Sequence, residues 1–237
     1  MNKKIIAFLI LLFVFVGAIH PSTSSGQVES PLQAKEVSTC VKYDDVWGSG
    51  KYPYNFRVID DKLFAGGNLF NPIWQSNSDK KVLSYLQLLK QMGVTSVIAL
   101  NVPQNSKQIE ILEKLCAQEN LIFYKCRMNN ETVPTDEQTK KIMELIDKKA
   151  YVHCNWGADR TGSVIAKYLR LKKGYSGYDA WRAVISGGSH AGKIGGLKQM
   201  PSYKKLILYF WPEVVNENED VCRIYGIGKS KGAIIVP

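Results

Sequence analysis

From residue 56 to about residue 186 the chain alternates short apolar runs with longer stretches of helical spacing, and this order limits the fold more than any other feature. The runs 56–59 and 63–65, separated by Asp60, Asp61 and Lys62, read as a hairpin ending at Gly66 and Gly67. Over 79–92, Val82, Leu83, Leu86, Leu89 and Met92 share one helical face, and Gly93 is placed to stop the helix. A buried strand is expected at 94–100, a helix at 107–120 and a strand at 121–125, followed by a helix from a Thr135/Gln138 capping box to about 149. Tyr151, Val152 and His153 form a further buried strand, which leads through a glycine-bearing loop into helices at about 161–173, 177–186 and 201–211. This order predicts an α/β fold, a mostly parallel central sheet flanked by helices on both faces, with ligands at the carboxyl ends of its strands. The glycine-rich stretch 187–196 reads as a mobile, basic loop, and 214–237 as an irregular tail.

Lys3 and Lys4, the apolar stretch 5–16 and the small residues Gly17 and Ala18 have the pattern of a secretory leader cleaved after Ala18. An uncleaved membrane anchor is the alternative, although the stretch is short for a bilayer span. The expected organisation is a leader and the start of a linker at 1–26, a linker at 27–50, a catalytic domain at 51–212 and a tail at 213–237. A periplasmic or secreted protein follows, and its five cysteines should pair where they can. With Cys154 kept as a reactive thiol, Cys116 with Cys126 and Cys40 with Cys222 is the expected pairing.

A hydrophobic content of 45% with 22% charged residues suits a soluble globular domain rather than a disordered or multi-span chain. The formal charge of +10 suits a polyanionic partner. The lysines form no run of five, and no helix-turn-helix, zinc-finger or RNA-binding signature accompanies them, so nucleic acid is not the expected partner.

The chemistry concentrates in His153, Cys154, Asn155, Trp156, Gly157, Ala158, Asp159, Arg160, Thr161 and Gly162. A bare Cys-x5-Arg spacing arises easily by accident. Here the cysteine ends a buried strand and the arginine opens a helix, which accidents seldom supply. Between strand and helix, residues 155–160 can curl so that successive backbone N–H groups converge on phosphate oxygens at the helix N-terminus. Gly157 and Ala158 keep that curve sterically cheap. Arg160 adds a permanently charged two-pronged donor, and the same positive field favours a nucleophilic thiolate at Cys154. Trp156 belongs either to the mouth of the loop or to the packing beneath it.

These residues resemble the signature His-Cys-x5-Arg-(Ser/Thr)-Gly of the protein tyrosine phosphatase superfamily, and the order around them is similar to compact bacterial dual-specificity-like members over about 52–212. The resemblance implies metal-independent phosphomonoester hydrolysis without a cofactor, through a phosphocysteine on Cys154, with His153 ordering the loop and the Thr161 hydroxyl directed at the sulfur. Most members carry an aspartate on a separate loop as general acid. Aligned on Pro134, that position falls near Asn129, Asn130 and Glu131, where only Glu131 has a carboxyl group; Asp136 is accounted for by the first turn of its helix.

Asp159, inside the loop, is the other candidate acid, because a carboxylate facing a phosphate dianion favours its protonated form. Its sequence context, Asp159-Arg160-Thr161, resembles phosphoinositide and inositol-phosphate phosphatases of the superfamily. Both phosphoprotein and inositol-phosphate substrates therefore stay open, with a membrane contact only if the leader is retained or the substrate is a lipid. His190, Lys193 and Lys198 are candidates for extra positive charge around such a substrate. A catalytically inactive phosphate-binding module and a sulfurtransferase are the rival readings.

Overall fold

The computed structural model describes residues 41–43, 47–102 and 106–228. Cys40, the leader and most of the linker lie outside the described residues. In chain order the elements are β1 (Val41–Lys42), β2 (Arg57–Val58), β3 (Leu63–Gly66), α1 (Asp79–Gln91), β4 (Ser96–Ala99), α2 (Lys107–Gln118), β5 (Ile122–Lys125), α3 (Asp136–Asp147), β6 (Ala150–His153), α4 (Asp159–Lys173) and α5 (Gly177–Val184). A 3-10 turn, Pro201–Tyr203, then leads into α6 (Lys204–Phe210), followed by α7 (Val214–Glu217) and α8 (Glu219–Tyr225).

Four of the helices start where a hydroxyl side chain satisfies a backbone donor that the first turn cannot. Ser78, Ser106, Thr135 and Ser176 accept from the N–H groups of Lys81, Ile109, Gln138 and Asp179, and the Thr135/Gln138 capping box is complete. The sheet order is β1-β2-β3-β6-β4-β5, with β3, β6, β4 and β5 parallel and the first two strands antiparallel. The sequence expectation of a mostly parallel sheet is met, and β6 is its centre.

Because strand side chains alternate, each of these short strands feeds two cores. Phe64, Val97 and Tyr151 pack with Leu86, Leu89 and Leu112 on the α1/α2 side. Leu63, Ala65, Ile98 and Val152 pack with Ile142, Val164, Ile165 and Leu206 on the other. Each fully buried aliphatic side chain contributes about 1.5–3 kcal/mol, which is why strands of this length persist without strong local propensity. No helix among the described residues is long and apolar enough to cross a membrane.

Three expectations need correction. The residues after 213 are not an irregular tail as far as 225: Val214, Val221 and Tyr225 are buried in the α3/α4 core, and the Tyr225 hydroxyl accepts from Trp181 Nε1 at 3.1 Å. Cys116 and Cys126 are unpaired, because they lie in the two separate cores on opposite faces of the sheet. Burial pushes the Cys116 thiol up to about 12 and raises Cys126, which keeps both inert. Cys222 donates to the Val214 carbonyl at 3.3 Å, and the Cys40 expected to pair with it lies outside the described residues.

The third correction concerns 187–196. His190, Ala191 and Gly196 are buried, and Leu197 bridges to Ile185, so this stretch is packed rather than mobile. A Cβ at Gly196 would overlap the Val184 carbonyl. There the glycine serves close backbone approach, which in sequence looks the same as flexibility.

Candidate active site

Parallel pairing aligns His153, the last residue of β6, with Gly66 of β3 on one side and Ala99 of β4 on the other. The chain then turns through residues 154–158 and enters α4. This is the carboxyl end of the central strand, where the ends of β3 and β4 leave room for a ligand.

The loop is shaped by what holds its carbonyl groups. Asn155 O accepts from the N–H of Asn68 at 2.8 Å. Asn55 Nδ2 reaches Trp156 O at 3.3 Å and Gly157 O at 3.4 Å, and Arg57 Nη2 donates to Gly157 O at 2.9 Å. With the carbonyls tied outward, the amides of Trp156, Gly157 and Ala158 have no acceptor among the described residues. Gly157 has φ +68° and Ala158 leads directly into α4 without a side-chain cap. These amides, at a helix N-terminus, are donors available to an anion.

Arg57 and Asn55 are the functional residues that sequence reasoning missed. Arg57 is 1% exposed although charged, and besides Gly157 it binds the carbonyls of His190 at 3.0 Å and Asn55 at 3.1 Å. Asn55, held in the left-handed region at φ 51°, also accepts from Lys193 N at 2.9 Å. Together they lock the loop to the 187–196 segment. The local signal was an arginine inside an apolar strand, which is indistinguishable from an ordinary solvent-facing position.

Arg57→Met is expected to destabilise the protein by about 3 kcal/mol, since three buried carbonyls lose a charged donor. Urea denaturation checks this. Arg57→Lys should recover little, because an ammonium cannot reproduce the planar fork.

At Gly157 two constraints coincide: the positive φ, and a Cβ that would overlap the Gly66 carbonyl. Gly157→Ala is expected to cost about 2 kcal/mol or more and to remove anion binding, measurable by calorimetry with inorganic phosphate.

Cys154 is 2% exposed and His153 is fully buried. Burial, reinforced by Arg160, pushes His153 down to about 4, so the imidazole is neutral. Its Nδ1 faces Cys154 O at 3.3 Å; a carbonyl only accepts, so Nδ1 carries the proton. The Thr161 hydroxyl is buried with no hydrogen-bond partner among the described residues. Trp156, 43% exposed, stands at the mouth with its ring edge-on to Tyr54 at 5.7 Å.

The two candidate acids differ sharply in setting. Asp159 is half-buried, and burial raises its carboxyl group against the opposing pull of the Lys198 N–H, which it accepts at 2.9 Å, and of Arg160. Glu131 is exposed and pairs with Lys205 at 2.9 Å, and that hydrogen bond and charge hold it below the usual carboxylate range. Of the three residues expected to add positive charge, His190 does not. It is fully buried, and burial together with Arg57 pushes it down to about 4, leaving it neutral. Lys193 and Lys198 are exposed, and the contacts they make to the site described above come from their backbone N–H groups.

Beside the loop a cavity of about 440 Å³ is walled by Asn155 and Arg160, and the Arg160 Nη1 approaches Met128 O at 3.4 Å.

Residues 73–174 match the family described as "Tc-R-P: Polymorphic toxin system, DSP-PTPase phosphatase". No curated protein sequence matches the chain. Among solved structures it is similar to TpbA of P. aeruginosa, at 13% identity over 82% of this chain and 99% of that one, TM-score 0.49. It is also similar to PTPMT1, at 16% identity over 68% and 97%, TM-score 0.48. The core catalytic domain of the PP-IP phosphatase SIW14 from S. cerevisiae shares 17% identity over 54% and 72%, TM-score 0.40. The family match runs from before α1 to the end of α4 and contains the signature loop set between the central parallel strand and its helix, so residues 73–174 carry a phosphatase domain of the dual-specificity type.

Proposed function

We propose that this phosphatase hydrolyses phosphomonoesters in two steps through Cys154. The observation that carries the reading is the fastening of the loop carbonyls by Asn68, Asn55 and Arg57, which leaves the amides of Trp156, Gly157 and Ala158, directly after Cys154, without an acceptor among the described residues. A phosphoryl group there is held by those amides and by Arg160, and its developing charge is stabilised by donors already in place.

In the first step the Cys154 thiolate attacks phosphorus, the bond from phosphorus to the ester oxygen breaks, and that oxygen takes a proton from Asp159. In the second, water attacks the phosphocysteine, Asp159 receives a proton from it, and the bond between sulfur and phosphorus breaks to return the thiolate and free phosphate. The buried Thr161 hydroxyl, without a partner among the described residues, suits a donor to the departing sulfur. His153, neutral and bonded to Cys154 O, serves to hold the loop in register. Burial supports Asp159 as the acid, while the Lys205 pairing of Glu131 keeps that carboxylate ionised and argues against it.

The experiment is acid quench during turnover of a ³²P-labelled aryl phosphate. Label should be recovered as a thiol phosphate on the peptide that contains Cys154. Turnover without any labelled protein, or label on another residue, removes this mechanism. For substrate, phosphoproteins and inositol phosphates or phosphoinositides both fit the loop, and the excess of positive charge favours the more highly phosphorylated class.

A further inference from the structure

The cavity beside the loop has a donor and acceptor balance of its own. It is lined in part by Arg127, Arg160, Asn68, Asn101, Asn129 and Asn155, with no carboxylate among the described lining residues. Two of the amide side chains are already committed through their oxygens. Asn68 Oδ1 accepts from Phe70 N at 3.2 Å, and Asn129 Oδ1 accepts from Glu131 N and Thr132 N, both at 2.7 Å. Peptide N–H groups only donate, so these amides cannot be flipped, and what they present is NH2.

Arg127 is exposed and makes no ion pair or hydrogen bond among the described residues. The Asn101 Oδ1 on this wall is buried and has no partner among the described residues. Two guanidinium groups and spare amide donors are complementary to more than one anionic group; a lone buried acceptor is complementary to a hydroxyl. At about 440 Å³ the cavity falls within the roughly 300–1,000 Å³ of small-molecule sites, and it is far larger than one phosphoryl group requires.

We propose that this cavity is a second anion subsite of the same active site, in which Arg127, with the NH2 groups of Asn68 and Asn129, binds a phosphoryl group other than the one being cleaved, and Asn101 accepts from a hydroxyl. The substrate class is a multiply phosphorylated polyol. The assignment rests on the phosphatase reading of the Cys154 loop and adds the residue that selects among its substrates.

The test compares kcat/KM on inositol hexakisphosphate with that on phenyl phosphate, which carries a single phosphoryl group, for the parent and for Arg127→Gln. A parallel arm presents phosphatidylinositol bisphosphate in phosphatidylcholine vesicles, which separates a lipid source from a free one. The ratio of polyphosphate to phenyl phosphate efficiency is expected to fall about tenfold in Arg127→Gln in at least one arm, the loss of one bidentate charged contact. Because Arg127 is exposed, the variant should melt with the parent. A ratio that does not move in either arm overturns the subsite, and so does a parent that prefers a phosphotyrosine peptide by tenfold or more over both polyphosphates.

Binding separates this proposal from the mechanism. In a Cys154→Ser background, calorimetry with inositol hexakisphosphate should show affinity weakened about tenfold by Arg127→Gln. If the parent hydrolyses no phenyl phosphate yet this binding difference appears, the catalytic reading fails while the subsite stands. If turnover is normal and the difference is missing, the subsite fails alone.

Discussion

Cys154→Ser is expected to lower phosphate release by at least about 10⁴-fold, equivalent to about 5.5 kcal/mol of transition-state stabilisation, while unfolding in urea shifts by less than about 1 kcal/mol. The two effects separate because the sulfur's contribution is chemical. A hydroxyl fits where the thiol sits, in a loop whose shape is set by Asn68, Asn55 and Arg57 rather than by Cys154. It remains protonated at neutral pH and is a poor nucleophile without a base. The donors are untouched, so vanadate or phosphate should still bind. A phosphate-binding module without activity would show the same binding and no turnover in the parent either. A sulfurtransferase would move sulfur from thiosulfate in the parent and release no phosphate from an aryl ester.

The second large effect is expected at Asp159. Asp159→Asn should reduce kcat on phenyl phosphate by about 10²–10³-fold, the usual contribution of a positioned acid. Glu131→Gln should stay within about twofold of the parent. Asparagine retains an oxygen that can accept from Lys198 N, so this substitution removes the proton while keeping the tie to the segment packed behind the loop. The loss should shrink on p-nitrophenyl phosphate, whose leaving group needs little protonation.

The pH dependence has a definite sign. Burial raises the Asp159 carboxyl group, so its acid form persists to higher pH than that of a free aspartate, and kcat should fall as pH rises through that raised value. Asp159→Asn should abolish this alkaline limb. In stability the same shift favours the folded state at low pH, where the carboxyl group is neutral in both states, and the advantage is lost as pH rises through the folded-state value. A large loss in Glu131→Gln with a normal Asp159→Asn would reverse the assignment.

Much of the fold could be read along the chain because its determinants are local. Val82, Leu86 and Leu89 mark the α1 face, Thr135 and Gln138 mark the start of α3, and both elements form within a residue or two of the expected ends. The errors occurred where one sequence pattern has two physical meanings. Glycine at 196 permits flexibility, but it also permits a backbone to approach the Val184 carbonyl, and the second applies. The residues after 213 lack a strong apolar period, yet Val214, Val221 and Tyr225 suffice to bury two short helices against a core built elsewhere. The Cys116–Cys126 pairing failed because separation along the chain says nothing about which face of the sheet a side chain takes: the two are close in sequence and divided by the sheet.

By itself the sequence determined the reactive group. Cys154, Gly157, Arg160 and Thr161 are contiguous, and a strand, a tight turn and a helix N-terminus are enough to put a thiol beside a row of amides. Only the tertiary structure decided what holds and surrounds that loop. Asn55 and Arg57, roughly a hundred residues upstream, fasten its carbonyls; the Lys198 backbone anchors Asp159; and Arg127 and Asn101 arrive from separate strand ends to wall the adjoining cavity. The reason is that backbone geometry is set by near neighbours, whereas burial, charge environment and the shape of a ligand site depend on groups brought together by folding.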